Sequence, residues 1–336
     1  MADPCGCLRD EYRHGRWEPY EGWPEPRTKR QPTGTKACLD GKACLDGKAC
    51  LDGKHMTSRA KCQHLDTSDP QCGRYRYVNA SCGPDFTPSR LCAVLRCRDV
   101  LVLGDSTMRT LHNALLGTNY ESRNTSWQLQ PSHSCPMWTS QGFRMCSSSS
   151  CPSGLRVDFL RSNHLIGFQH TFANCQHWPK MMRHYQVLIF ETGIHLHQYR
   201  DIGGRDRRSD SEWYAERARQ LVSVLRPWRT KGNDTQVIFV RPHWGILNFS
   251  AAAGTPLTEP AVQIDDNYSW PDIPRVGEAT AGILRGEMGM SSVDPTRALA
   301  MRPDCRPHDP MHTTVEVLQH STWWMIANTL AQRPYC

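Results

Sequence analysis

Three residue types, in one order along the chain, could perform chemistry together. Ser106 follows Gly104-Asp105, and near the other end of the chain Asp309-Pro310-Met311-His312 places a carboxylate and an imidazole in one short stretch. A serine hydroxyl is a poor nucleophile until a base lies within hydrogen-bond reach and a carboxylate fixes that base's tautomer. The set Ser106, Asp309 and His312 supplies nucleophile, orienter and base, and the chemistry it can do is acyl transfer. Gly-Asp-Ser by itself reads equally well as a helix cap by Asp105 or Ser106. Asp-x-x-His by itself reads as a surface loop. The pair of motifs is more specific than either half.

The elements around these residues are suited to position them. Asp99 to Leu103 is a short apolar strand, Gly104-Asp105-Ser106 is a turn, and Thr107 to Leu116 has helical character, with Gly117 as its stop. Such a strand-to-helix turn lifts a side chain above the carboxyl edge of a parallel sheet. It also leaves the backbone N–H of Ser106 at a helix start, facing any oxyanion that develops there. At the other end, Thr313-Thr314-Val315-Glu316 has the spacing of a capping box. A helix from there to about Ala331 would bury Val315, Leu318 and Met325 with one or both of Trp323 and Trp324, and would set His312 just ahead of its N-terminus.

Between these ends, Val187 to Phe190 and Gln236 to Val240 read as core strands. Ser211 to Trp228 reads as a helix, with Tyr214, Ala218, Leu221 and Leu225 on one face. Residues 118–184 are poorly periodic and carry Cys135, Cys146, Cys151 and Cys175, which suggests long cross-linked loops. A second irregular stretch, rich in Pro and Gly, runs from the third strand to about residue 303. Alternating strands and helices make the expected class α/β.

Composition limits the setting. The chain has 336 residues, 38% hydrophobic and 22% charged, and 16 cysteines, an even number that fits an oxidising compartment. Asn-x-Ser/Thr triplets at Asn79, Asn124, Asn233, Asn248 and Asn267 agree with a secretory lumen or the cell exterior. No apolar run has the length of a membrane span, and the first residues carry no apolar signal core. A luminal protein of this kind would have its leader or membrane anchor outside this chain. The net charge is +7, and the Arg-rich stretch from Arg200 to Asp210 also holds three aspartates. With no basic stripe interleaved with aromatics, nucleic acid is not an expected partner, whereas an anionic glycan is compatible with the charge.

The chain divides at about residue 97. Residues 1–97 form a Cys-rich segment with ten of the cysteines, and residues 98–336 form the domain that holds the motifs. Within the first segment, Gly15-Arg16-Trp17, Tyr20 and Trp23 suit irregular chain laid on another surface by its aromatics. Lys-Ala-Cys-Leu-Asp-Gly then occurs three times over residues 36–53, too short and polar to build a solenoid and best read as an expanded exposed loop. Cys62 to Cys97 reads as a compact disulfide-tied section.

Gly104-Asp105-Ser106-Thr107-Met108-Arg109 after a Val/Leu strand, with Asp309 to His312 near the end, resembles the SGNH/GDSL hydrolase superfamily. The finer resemblance is to its PC-esterase and trichome-birefringence-like branch of polysaccharide O-acetyltransferases, whose Gly-Asp-Ser-x-x-Arg start Arg109 matches. That branch has a mid-chain strand ending in Asn-Thr-Gly-His, to which Phe190-Glu191-Thr192-Gly193-Ile194-His195 is similar. Its Arg-containing strand end resembles Arg241-Pro242-His243-Trp244. The resemblance runs from about residue 90 onward, and Gly15-x-Trp17 with the following cysteines matches the branch's leading segment only weakly.

What the resemblance implies is a three-layer, flavodoxin-like parallel sheet flanked by helices, with a Ser106-Asp309-His312 triad. Asp105, Arg109, Gly193, His195 and Arg241 would then be substrate-binding or supporting residues. It also implies an acetyl donor, a glycan or polysaccharide acceptor, residence in the Golgi lumen or outside the cell, and no cofactor or metal. Two departures stand out: Glu191 replaces the branch's Asn, and Ile194 precedes His195. An anionic Glu191 would oppose an oxyanion, so the second oxyanion donor stays unassigned.

Other readings use the same residues differently. A carbohydrate esterase differs from a transferase only in whether water or a sugar hydroxyl takes the acyl group. Cys305-x-x-His308-x-x-x-His312, with His195-x-His197, has zinc-ligand spacing and would make a metallohydrolase. A secreted glycan-binding protein on the same scaffold would use its tryptophans to stack on sugar rings.

Overall fold

A computed structural model describes residues 15–20, 72, 74–79, 82, 86–116, 128–129, 136–138, 146, 149, 151–165, 178–193, 210–229, 235–243, 256–258, 260, 273–305 and 312–332. Its centre is a seven-stranded sheet. Two strands precede it in the chain, β1 (Arg16–Pro19) and β2 (Tyr75–Val78), which pair antiparallel in a small separate sheet. The large sheet then takes β3 (Val100–Gly104), β4 (Gln128–Leu129), β5 (Pro136–Trp138), β6 (Val157–Arg161), β7 (Val187–Phe190), β8 (Gln236–Val240) and β9 (Ser291–Val293) in the spatial order β4-β5-β6-β3-β7-β8-β9.

The five strands β6-β3-β7-β8-β9 run parallel, while β5 joins β6 antiparallel and β4 joins β5 antiparallel. Numbered by chain order, the parallel strands lie 2-1-3-4-5, the flavodoxin-like arrangement. In that arrangement the connections leave β3 in opposite directions and open a crevice at the carboxyl ends of β3 and β7.

These strands are short apolar runs because both of their faces are covered. Val100 and Val102 point into one core cluster while Leu101 and Leu103 point into the other, and β7 divides likewise, Val187 and Ile189 against Leu188 and Phe190. Helix α1 (Pro88–Leu95), helix α2 (Ser106–Leu116) and the C-terminal helical segment fill the first face. They contribute Leu91 and Leu95, Met108 and Leu111, and Val317, Trp323, Met325 and Ile326. The second face receives α3 (Trp178–Met181), α4 (Asp210–Arg229) and α5 (Ile273–Met288), through Trp178, Leu221, Leu225, Trp228 and Leu284. The result is a three-layer α/β sandwich.

Several elements lie in stretches that read as irregular in the sequence. Strand β6 is broken as an apolar run by Asp158, yet that carboxylate is buried and accepts a hydrogen bond from Tyr185 Oη at 2.6 Å. Burial and Asp158 together push the Tyr185 phenol well above its ordinary range. Helix α5 hides its stripe of Ile273, Val276, Gly277, Thr280, Ala281 and Leu284 among glycines. At Gly277 a Cβ would come within 3.2 Å of Pro242, so a bare backbone is what lets the helix approach the end of β8. Strand β9 and the short α6 (Thr296–Ala300) follow, too brief and polar to announce themselves.

The final segment is helical from α7 (Val315–Leu318) through a π-helical stretch (Gln319–Trp323) into α8 (Trp324–Gln332). The anticipated capping box does not form. Thr314 is the N-cap and makes no side-chain cap bond, the buried Thr313 hydroxyl makes no hydrogen bond among the described residues, and Glu316 is buried. Burial on α2 and the sheet therefore holds this helix start.

The cysteines also pair otherwise than a compact Cys62–Cys97 section would require. Cys72 joins Cys305, Cys92 joins Cys146 and Cys97 joins Cys151, each reaching out of that section. These disulfides place the chain in an oxidising environment. No helix among the described residues is long and apolar enough to cross a membrane. Of the five sequons, Asn79 is only 8% exposed, which makes it a poor glycan acceptor, and the other four lie outside the described residues.

The surface on which Trp17 lies is the chain's own C-terminal part. Trp17 Nε1 donates to the Ala298 carbonyl at 2.9 Å, and its ring meets Tyr77 edge-on at 5.7 Å. Tyr77 in turn contacts Trp324, and the fully buried Arg302 guanidinium lies 5.1 Å from the Trp17 ring. Trp17, Cys72 and Tyr77 thus belong to the same apolar cluster as the central strands.

Candidate functional site

The register of the parallel strands lines up their carboxyl ends. Gly104 lies opposite Arg161, Leu103 opposite Phe190, Phe190 opposite Phe239, and Val240 opposite Val293. The residues that follow these ends form one edge: Asp105 and Ser106, Ser162, Glu191, Arg241 and Asp294. Asp105, Ser106 and Glu191 flank the crevice where the strand order reverses.

The turn that carries Ser106 is tightly held. Gly104 has φ +156°, and its carbonyl accepts from Ser162 N–H at 2.7 Å. Asp105 is buried, and its Oδ1 accepts from Thr107 N–H at 2.8 Å and from Thr107 Oγ1 at 2.7 Å. The Asp105 carbonyl takes the first helical bond, from Arg109 N–H at 3.1 Å. Capping of α2 therefore falls to Asp105, as one ordinary reading of the tripeptide has it. That leaves Ser106 as the first helical residue, partly exposed, with its hydroxyl in no hydrogen bond among the described residues.

His312 is partly exposed and lies three positions ahead of α7, and α7 packs against α2. Two bonds tie this last segment to α2: Trp323 Nε1 donates to the Leu111 carbonyl at 2.7 Å, and Gln319 Nε2 donates to that of Ala114 at 2.6 Å. The chain on either side of the Asp309 stretch is closed by Thr314 N–H donating to the Cys305 carbonyl at 2.9 Å, and Cys305 is itself bonded to Cys72. Asp309 and His195 lie outside the described residues. Ser106 and His312 share no hydrogen bond, as is common before a substrate is bound.

Arg109 is one turn into α2 and partly exposed. Arg241 is almost wholly buried, and its Nη1 lies 2.6 Å from Glu278 Oε2 on α5 and 3.4 Å from Asp294 Oδ2 after β9. Those contacts make it a tie between β8, α5 and β9. Gly193 has φ +138°, and a Cβ there would come within 3.0 Å of Pro242, so the β7 and β8 ends approach closely at this point.

Two charged residues at this edge escaped sequence reasoning, Asp294 after the short β9 and Arg161. Arg161 ends β6 opposite Gly104, and its guanidinium is pulled below its ordinary range by burial, an effect the Asp105 carboxylate opposes. It went unnoticed because Asp158 concealed β6. The alternation Val157, Phe159 against Asp158, Leu160 was the available signal.

The zinc reading loses a ligand, since Cys305 is bonded to Cys72 and has no thiolate to give. His308, His195 and His197 lie outside the described residues.

No family model and no curated protein matches the chain. A solved structure of a peptidoglycan O-acetylesterase is similar with a TM-score of 0.30 and 10% identity, over 44% of this chain and 37% of that one. The match thus spans well under half of that esterase.

Proposed function

We propose that this protein is a serine-nucleophile O-acetyltransferase acting on glycan or polysaccharide hydroxyls, working in the Golgi lumen or outside the cell. The observation that carries the acyl-transfer reading is the turn after β3. Asp105 takes the capping role and leaves the Ser106 hydroxyl uncommitted at the switch point of a parallel sheet. The acetyl and glycan part rests on the motif resemblance, with disulfides that fit a secretory compartment. A membrane anchor outside this chain is part of the same proposal.

In the proposed mechanism His312 takes the Ser106 proton as Oγ attacks the acetyl carbonyl, and Asp309 holds the imidazole tautomer. The oxyanion lies toward the Ser106 N–H at the start of α2. Collapse expels the donor's leaving group, which receives the proton from His312 and leaves acetyl-Ser106. His312 next removes a proton from a sugar hydroxyl, whose oxygen takes the acetyl group, and Ser106 is reprotonated. Water in place of the sugar gives the esterase reading.

The test is incubation with an acetyl donor and a glycan panel, read by mass for gain or loss of acetyl. A fluorophosphonate probe should label Ser106. Ser106→Ala and His312→Ala should each abolish turnover, and Asp309→Ala should leave a residue of it. Full turnover in Ser106→Ala would refute the mechanism, and release of acetate with no acetylated glycan would assign the chain as an esterase.

A further inference from the structure

The Ser106 N–H is one donor for an oxyanion, and it stands beside two buried acidic side chains, Asp105 and Glu191. Negative charge that develops in a reaction is held by several preorganised donors or by a cation. Arg161, at the end of β6, is placed to supply what the single N–H lacks.

Strand alternation fixes the side of the sheet on which Arg161 lies. Val157 and Phe159 join Met108 and Leu111 of α2 in one core cluster, so Arg161, two positions further on, shares the α2 face. Gly104 is opposite Arg161 in the register, and Ser162 N–H donates to the Gly104 carbonyl at 2.7 Å, which holds the two strand ends together. Helix α2 runs back over β6, since His112 Nε2 is 2.9 Å from the Val157 carbonyl and its ring centre is 6.0 Å from that of Phe159. From His112 back to Ser106 is about 9 Å along the helix axis, and from Phe159 on to Arg161 is about 7 Å along the strand. Arg161 is therefore level with the first turn of α2.

The guanidinium is half-buried. Its Nε donates to Asn163 Oδ1 at 3.3 Å, the one hydrogen bond of this side chain among the described residues. Burial lowers its proton affinity and the Asp105 carboxylate opposes that, so the cation is within electrostatic reach of the nucleophile turn. Arg241, by contrast, is paired with Glu278 and Asp294.

We propose that Arg161 is a catalytic residue whose Nη groups donate to the acetyl oxygen and complete the oxyanion site begun by the Ser106 N–H. As Ser106 Oγ bonds to the carbonyl carbon, the π pair of the C=O moves onto oxygen and the Ser106 proton goes to His312. Arg161 stays protonated and holds the oxyanion through charge-assisted hydrogen bonds. Collapse re-forms the C=O and expels the leaving group. Arginine suits this place because it keeps its charge when half-buried and is weakly hydrated. The proposal rests on the Ser106 reading, and it gives that reading a second donor without calling on position 191.

The experiment uses the full chain with two reagents: a fluorophosphonate, whose phosphoryl oxygen takes the place of the acyl oxygen, and 4-nitrophenyl acetate as a simple acetyl ester. Labelling of Ser106 should be roughly 100-fold slower in Arg161→Gln than in wild type, the scale of one lost oxyanion donor. With the ester, kcat should fall by a similar factor while KM stays within a few-fold. Arg161→Lys, which keeps the charge, should lose less. Guanidinium ion, at concentrations that leave Tm unchanged, should restore part of the labelling in Arg161→Ala. Wild-type labelling in Arg161→Gln, or a loss confined to KM, would overturn the proposal and leave the Ser106 reading standing. A loss that tracks a lowered Tm and that guanidinium does not restore would overturn it too, assigning Arg161 to the fold alone. If Arg161→Ala fails to fold, Arg161→Gln and Arg161→Lys decide. If wild type itself is not labelled, the Ser106 reading fails and the oxyanion role falls with it.

Discussion

Gly104→Ala is the sharpest test of the turn that presents Ser106. A Cβ at this position would sit 2.6 Å from Met108 Cγ, 3.1 Å from Met108 Cβ and 3.2 Å from the Glu191 carbonyl oxygen. Carbon atoms in good contact lie about 3.5–4.0 Å apart, so Met108 must move, and it is buried in the core beneath α2. The backbone at φ +156° adds strain for any side chain. Overpacking and backbone strain each cost about 1–3 kcal/mol, so the substitution should destabilise by roughly 2–6 kcal/mol. Calorimetry should show a lower Tm, and the fluorophosphonate rate at Ser106 should fall by roughly 10- to 100-fold as the turn shifts. A double-mutant cycle isolates the contact. In a Met108→Ala background the closest atom is gone, and Gly104→Ala should cost less there by more than the ~0.5 kcal/mol expected of independent sites. An equal cost in both backgrounds, or a Gly104→Ala protein with wild-type Tm and labelling, would refute the reasoning.

Two further outcomes follow from contacts away from this turn. Replacing Cys72 and Cys305 together by Ala removes a link across 233 positions of sequence and should cost roughly 2–4 kcal/mol in guanidinium denaturation. Labelling of Ser106 should slow with it, because the Cys305 carbonyl anchors Thr314 beside His312; an unchanged midpoint would show that the link does not constrain the fold. His320 is pushed down to about 4 by burial first and by the Arg302 and Arg76 cations second. The unfolded imidazole takes up its proton near pH 6.5, so stability should be level above that pH and fall as pH drops toward 4, by about 1.4 kcal/mol per unit. Burial lowers His112 in the same sense, so His320→Gln should flatten the urea-denaturation profile over this window without levelling it; a profile identical to wild type would contradict the assignment.

Local pattern was enough to find the parts of this protein where the chemistry and the apolar runs are continuous in sequence. Strands β7 and β8 read directly from Val187–Phe190 and Gln236–Val240, because strands covered on both faces carry no polar alternation to blur them. Ser106 at a strand-to-helix turn and the long helix over Asp210–Arg229 were legible for similar reasons. What tertiary structure decided is every feature whose partner is remote. Asp158 belongs in a core strand only because Tyr185 reaches it, and Gly277 belongs in a helix because Pro242 leaves no room for a side chain. Cys72 pairs with Cys305, and Thr313 to Glu316 begin a helix without the box their spacing suggested. Glu191 reads in sequence as a misplaced charge; only the fold brings it to Thr107 and, through Thr107, to Asp105. Spacing along a chain fixes which side chains share a turn, whereas burial and proton-sharing depend on neighbours that only the folded chain brings together.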